Sequence, residues 1–219
     1  MSSAQTLTAP TKSFSRLPRH VGIIPDGNRR WADARSLPRS HGYSSGIEPA
    51  FRLYRLCREL GVEEVSIYGF TQDNTKRPRD QREAFQQACV DAVERFASMD
   101  AEFRVVGDTT TPMFPPPLKD FAERTVLGKG GIKVNLLVNY SWRWDIDLLR
   151  KNGQLGSADV SAIDLIVRWG GRRRLSGFLP IQSVYADIYV VESLWPDFEP
   201  AHMFEALEWY QGQDPTRGG

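Results

Sequence analysis

The stretch His20-Val-Gly-Ile-Ile-Pro-Asp-Gly-Asn-Arg-Arg-Trp-Ala32 decides how the rest of the chain is to be read. Val21, Ile23 and Ile24 supply a β-branched strand, and Pro25 stops it. Asp26-Gly27-Asn28 is turn chemistry, with Gly27 free to let backbone N–H groups approach a ligand closely. Arg29-Arg30-Trp31-Ala32 then opens a helix, whose free N–H groups and dipole favour a negative charge. A carboxylate set beside two guanidiniums at such a point is balanced best by a phosphate oligoanion with a divalent cation. The arginines then hold phosphate and Asp26 holds the metal. Taken alone, Asp26 reads better as a helix cap with exposed arginine neighbours; the sequence that follows turns the reading.

Around that stretch, 219 residues with 41% apolar content make one α/β domain with a real core. A formal charge of +1 argues against general polyanion or nucleic-acid binding, so any basic site has to be local. Cys57 and Cys89 lie in helical contexts and point to a reducing compartment without disulfides. Residues 1–17 are rich in Ser, Thr and Pro and read as a disordered leader, neither signal peptide nor membrane span. No run approaches the ~20 apolar residues needed to cross a bilayer. The expectation is a cytoplasmic protein with no membrane insertion: one domain over residues 18–212 and a tail over 213–219.

Strands are expected at His20–Ile24, Val62–Phe70, Phe103–Gly107, Ile132–Asn139, Ile163–Val167 and Asp187–Val191, with helices between them. The helices are placed after Asn28, at Ile47–Leu60, Glu83–Met99 and Leu118–Leu127, after Tyr140, from Leu179 or Pro180, and at Glu199–Tyr210. Arg35–Gly46 reads as a cationic loop, and Leu148–Ala162 as a weak helix or mobile loop. Alternating strands and helices predict a mostly parallel sheet covered on both faces. In such a sheet ligands gather at the carboxyl ends of the strands. Those ends carry Asp26-Gly-Asn28, Asp73-Asn-Thr-Lys-Arg77, Asn139 and Arg168 to Ser176, groups suited to a diphosphate. The Arg172-Arg-Arg174 run alone would be a solvated turn or a nucleic-acid patch. Gly170-Gly171 ahead of it and Ser176 behind it favour diphosphate.

These segments together resemble the cis-prenyltransferases, the family of undecaprenyl diphosphate synthase. The matching pieces are the opening stretch, Arg39 with Gly42 and Gly46, Tyr68-Gly-Phe-Thr-Gln-Asp-Asn74 with Arg77-Pro78, Asn139-Tyr-Ser-Trp-Arg-Trp-Asp145, Arg168-Trp-Gly-Gly171 with Arg174-Leu-Ser-Gly-Phe178, and Leu194-Trp-Pro-Asp-Phe198. The resemblance implies a catalytic domain with a hydrophobic tunnel for the growing isoprenoid, usually in a homodimer. It also implies Mg²⁺ held by Asp26, with Asp187 at the position of a second, glutamate ligand. Gly27, Asn28, Arg29, Arg30 and Trp31 would surround the allylic diphosphate, with Arg39 and Arg77 adding charge. Arg168, Arg174 and Ser176 would hold the second diphosphate. Asn74, in the same polar group as Thr71, would orient the acceptor and support the departing proton.

Departures from the family pattern fall near the second substrate. Tyr43 stands for a histidine, Thr75 for a tryptophan, and Trp169 for a threonine beside the acceptor, while Ile146–Asp164 is shortened. They suggest a specialised member that joins C5 to C15 isoprenoid diphosphates, with a short product or irregular, lavandulyl-type coupling. Regular short-chain elongation with isopentenyl diphosphate is the alternative. Retention of Asp26, Arg30, Arg39, Arg77, Arg168, Arg174 and Ser176 argues against a non-catalytic accessory subunit. An unrelated phosphate-binding enzyme on this fold class would leave the ordered series of segments unexplained. Arg217-Gly-Gly219 resembles an element that in this family reaches a partner's site.

Overall fold

Runs such as Leu165-Ile-Val167 carry no polar alternation, and a strand of that kind has to be buried on both faces. All five residues of the strand that contains it are buried, as are all five of His20–Ile24. The structure, a computed structural model, describes residues 13–214. In chain order the elements are β1 (His20–Ile24), α1 (Asn28–Ala34), α2 (Arg39–Ser45), α3 (Ile47–Glu59), β2 (Glu64–Tyr68), α4 (Arg79–Phe96), β3 (Ala101–Val106), β4 (Thr125–Leu127), β5 (Lys133–Leu137), α5 (Trp142–Asn152), β6 (Leu165–Trp169), β7 (Asp187–Val191) and α6 (Pro200–Gln211).

The strands form one sheet in the order β4-β3-β5-β2-β1-β6-β7. Every pairing is parallel except β3 with β4. Successive side chains divide between two faces. Val21, Ile23, Val65, Ile67, Leu165, Val167 and Trp169 enter the larger core with α3, α4 and α6 residues such as Phe51, Cys89, Phe96 and Met203. Ile24, Leu137 and Ile166 lie on the other face with Tyr140, Phe178 and Leu179. Chain connections run from β1 towards β2 on one side and from β6 towards β7 on the other. The crevice for a ligand therefore opens beyond the carboxyl ends of β1 and β6.

Four expectations change. Residues 39–45 are not a loop but α2, held by tertiary contact rather than by a cap. Its Gly42 lies so close to α1 that a Cβ would come 2.0 Å from the Asn28 carbonyl oxygen. Leu118–Leu127 is a 3-10 turn, Pro116–Phe121, followed by β4, which pairs with β3. No helix starts at Leu179, whose positive φ of 35°, after those of Ser176 and Gly177, sets a series of turns. The 148–162 segment continues α5 to Asn152 and closes on Gly153 in the left-handed conformation. Beyond it Asp159 is clamped by Arg104 and Arg124, and Asp145 accepts from both the Ser157 backbone and hydroxyl.

The leader boundary also shifts. Phe14 stacks on Phe204 at 6.3 Å, and Ser15 donates to Gln211, so these residues of the expected leader pack on α6. Residues 1–12 and 215–219, including Arg217-Gly-Gly219, lie outside the described residues.

Candidate active site

Asp26 follows β1 directly, and Arg168 is the β6 residue paired in register with Ile24. Their side chains meet across the crevice, with Arg168 Nη2 donating to Asp26 Oδ2 at 2.7 Å. Arg30, one helical turn after Asp26, brings Nη2 to 3.5 Å from Oδ1 and donates to the Gly170 carbonyl at 2.9 Å. Gly170 permits that approach, since a Cβ there would lie 2.4 Å from Arg30 Nη2. Arg168 is 3% exposed. It also donates through Nη1 to Ser176 Oγ at 3.0 Å and to the Arg174 carbonyl.

These groups border a cavity of about 470 Å³ whose lining carries six arginines, Arg29, Arg30, Arg77, Arg168, Arg172 and Arg174, against two carboxylates, Asp26 and Asp73. Gly27, Asn28, Thr71, Asn74 and Ser176 complete its polar part. With six cations to two anions, the field inside favours a multiply charged anion. The seven-residue α1 begins without a side-chain cap, so the guanidiniums rather than a long helix dipole carry that field. Burial lowers the Arg77 pKa, and the Arg29 guanidinium adds to the effect. An arriving phosphate would meet a cation already short of solvation.

The apolar part of the cavity comes from Ile24, Tyr43, Tyr68 and Phe85. Tyr43 and Phe85 stack almost flat, with centroids 4.5 Å apart and planes inclined by 4°. Phe85 is also edge-on to Phe70 at 5.6 Å, and Arg77 Nη1 donates to the Tyr43 hydroxyl at 3.1 Å. Tyr43 and Phe85 thus present aromatic rings to the cavity on the α4 side. Tyr68 donates to the Ser176 carbonyl at 2.9 Å; burial holds its hydroxyl in the protonated form, and the nearby Asp73 acts the same way.

Of the sequence-derived candidates, Asp26, Gly27, Asn28, Arg29, Arg30, Tyr43, Thr71, Asn74, Arg77, Arg168, Arg174 and Ser176 line this one cavity. Five do not. Trp31 donates to Asp197 under the stacked Arg35. Arg39 pairs with Asp33 at 2.9 Å on the surface. The Thr75 hydroxyl turns back onto the Gln72 carbonyl at 2.7 Å. Trp169 points into the larger core, 4.9 Å from Trp195 and 5.7 Å from Phe198, so it adds no bulk beside an acceptor. Asp187 begins β7 in register with Leu165, at the amino edge of the sheet. A strand of five residues spans roughly 13 Å or more, so within one chain Asp187 cannot share a metal with Asp26.

Sequence reasoning passed over Asp73, Arg172 and Tyr68 as individual site residues. Tyr68 and Asp73 stand in a strand-end segment already marked as polar, and Arg172 in the basic run after Gly171. Their position at the carboxyl edge was the available signal. Asn74 does double duty: Oδ1 accepts from the Thr71 N–H at 3.1 Å, fixing the turn that carries it.

A family model described as putative undecaprenyl diphosphate synthase matches residues 24–218. Among curated proteins, an isoprenyl transferase of Nitrosomonas europaea is 33% identical, over 92% of this chain and 86% of its own length. A farnesyl-diphosphate-specific ditrans,polycis-undecaprenyl-diphosphate synthase of Pseudomonas aeruginosa is 34% identical, over 87% of this chain and 86% of its own. Among solved structures, lavandulyl diphosphate synthase from Lavandula x intermedia, in complex with dimethylallyl diphosphate, aligns with a TM-score of 0.74. That match covers 90% of this chain and 96% of the other, at 24% identity, and speaks for the fold. With a family model covering nearly all of the described residues and relatives this similar along most of the chain, the protein belongs to the undecaprenyl diphosphate synthase family of cis-prenyltransferases.

Proposed function

We propose that this prenyltransferase makes short linear products by joining an allylic diphosphate of C5 to C15 to isopentenyl diphosphate, in a Mg²⁺-dependent reaction. The observation that carries the reading is the arginine-rich cavity bordered by the Tyr43–Phe85 stack. Its charge suits two diphosphates, and the Tyr43–Phe85 stack forms part of its apolar wall. Arg29, Arg30 and Arg77, from α1 and the turn before α4, would hold the allylic diphosphate. Arg172, Arg174 and Ser176, after β6, would hold the second.

The donor set fits Mg²⁺. Among the described residues, no group of three or more His, Cys, Asp or Glu side chains is placed to hold a metal ion. Mg²⁺ is usually held by one or two carboxylates together with substrate phosphate oxygens, not in an all-protein cage. Asp26 provides the carboxylate, and the bound metal would supply Lewis-acid stabilisation of the pyrophosphate leaving group. In the transfer, the allylic C–O bond breaks with its electron pair going to pyrophosphate. The acceptor alkene forms the new C–C bond, and a proton is lost from the acceptor to the departing pyrophosphate. The arginines stabilise the charge that develops on the leaving group. Ile24, Tyr43, Tyr68 and Phe85 give the carbocation an apolar wall.

Of the departures that suggested irregular coupling, Trp169 is in the core and Thr75 is folded onto its own turn, while Tyr43 lines the cavity. A homodimer is part of the proposal. Ile181, Val184, Tyr185 and Ile188 are exposed apolar side chains around the start of edge strand β7, a face suited to a second copy. Among the described residues, no helix is long and apolar enough to cross a membrane.

The test is a product assay with Mg²⁺ and dimethylallyl or geranyl diphosphate, with and without isopentenyl diphosphate. A short linear product that requires isopentenyl diphosphate is expected. A branched product from dimethylallyl diphosphate alone, or a long polyprenyl chain, would overturn the reading.

A further inference from the structure

Asp26 is committed twice without any ligand, to Arg168 at 2.7 Å and to Arg30 at 3.5 Å. A carboxylate that accepts from one guanidinium and lies against a second is a poor partner for a third positive charge. The buried Arg168 is at the same time incompletely used. Its Nη atoms reach Asp26, Ser176 and the Arg174 carbonyl, but its Nε is buried with no hydrogen-bond partner. A buried guanidinium N–H left without a partner costs free energy, and Arg168 lines the cavity that a diphosphate would enter. The guanidinium therefore sits between two possible anionic partners: the carboxylate it now holds, and a diphosphate entering the arginine-rich cavity.

We propose that Arg168 is a positioning residue that keeps Asp26 from binding a divalent cation until a diphosphate engages the Arg168 guanidinium. This rests on the two-diphosphate reading above and adds an order of events to it. A diphosphate that draws Arg168 off Asp26 frees the carboxylate, so metal joins the site after diphosphate. Linkage makes the effect reciprocal: metal bound at Asp26 strengthens diphosphate binding by the same factor as diphosphate strengthens metal binding. Chemistry is thereby confined to chains that already hold a diphosphate beside the carboxylate.

Mn²⁺ binding, followed by electron paramagnetic resonance, tests this without turnover. The parent protein alone should bind Mn²⁺ weakly, whereas Arg168→Gln should bind it about 10-fold more tightly, on the usual scale of site-to-site coupling. Arg172→Gln removes the same charge from the cavity lining and is the control for a general field effect. A gain in Arg172→Gln equal to that in Arg168→Gln, or no gain in Arg168→Gln, overturns the proposal. Asp26→Asn, at a partly exposed position, keeps the test alive if the buried Arg168 substitution disturbs folding. It should bind inorganic pyrophosphate about 10-fold more tightly than the parent in the absence of metal, because Arg168 is no longer engaged. Unchanged or weaker pyrophosphate binding by Asp26→Asn also overturns it. These binding results are independent of the product assay, so the proposed reaction and the proposed order fail separately.

Discussion

The two ends of β1 and β2 carry buried polar groups of very different character. At the amino edge, His20 Nδ1 is 3.0 Å from the Ser161 carbonyl and Nε2 is 2.9 Å from Ser66 Oγ. Asn135 Nδ2 donates to Glu64 Oε1 at 2.7 Å and to Ser66 at 2.9 Å, and the Ser161 N–H reaches the same Glu64 oxygen at 3.3 Å. The cavity beside this network, about 560 Å³, is lined by Arg19, Arg58 and Lys133 against Glu63, Glu64 and Asp164, with His20. Its charges balance. At the carboxyl edge six arginines face two carboxylates, and the most buried of those arginines has an unpartnered Nε. A polar network that closes on itself stabilises a fold; one left with unmatched charge is arranged for something that arrives.

That contrast makes opposite demands on substitutions at the two edges. Asp26→Ala should lower turnover about 10²–10³-fold, the scale for losing one charge-stabilising group, with circular dichroism unchanged. Full activity in that variant would remove Asp26 from the chemistry. Glu64→Ala should do the reverse, costing about 1–3 kcal/mol because Asn135 and Ser161 lose a buried acceptor. Urea unfolding reads the cost, and activity per folded molecule should hold. A normal midpoint with lost activity would erase the distinction between the edges. Phe85→Ala opens the aromatic wall and should extend the product by at least one C5 unit in the product assay. An unchanged length distribution would place the limit elsewhere.

His20 gives the smallest and most specific effect. Burial lowers its pKa from the ordinary 6.5, outweighing the raising influence of Glu64. The unfolded chain therefore takes up the proton first, and the folded state loses stability as pH falls below about 6.5 towards the folded-state value. Stability measured against pH should show this slope in the parent and lose it in His20→Gln. An identical slope in both would assign the acid sensitivity to other groups.

The sheet and the cavity were legible in the chain wherever local pattern and tertiary demand agree. Strand runs such as Val21–Ile24 and Leu165–Val167 are apolar because both of their faces are covered, and the polar segments that follow them must share one edge. Where packing alone decides, the sequence is silent. Arg39–Ser45 has Ser, Gly and cationic residues suited to a loop and becomes helical through contact with α1 and α4. Leu179 looks helical and is held at positive φ. Side-chain direction misleads in the same way. Arg168 and Trp169 are neighbours, yet period-two alternation sends one to the crevice and the other into the core. Asp187 is adjacent in type to a metal ligand but begins its strand, at the edge of the sheet away from Asp26 of the same chain.

The central claim is that one cavity holds two diphosphates on separate arginine sets. Titration calorimetry tests it most directly: isopentenyl diphosphate is added to protein saturated with a non-reactive dimethylallyl thiolodiphosphate. The account predicts that isopentenyl diphosphate still binds, that Arg77→Gln weakens the allylic analogue, and that Arg174→Gln weakens isopentenyl diphosphate. Competition between the two ligands for a single site would contradict it.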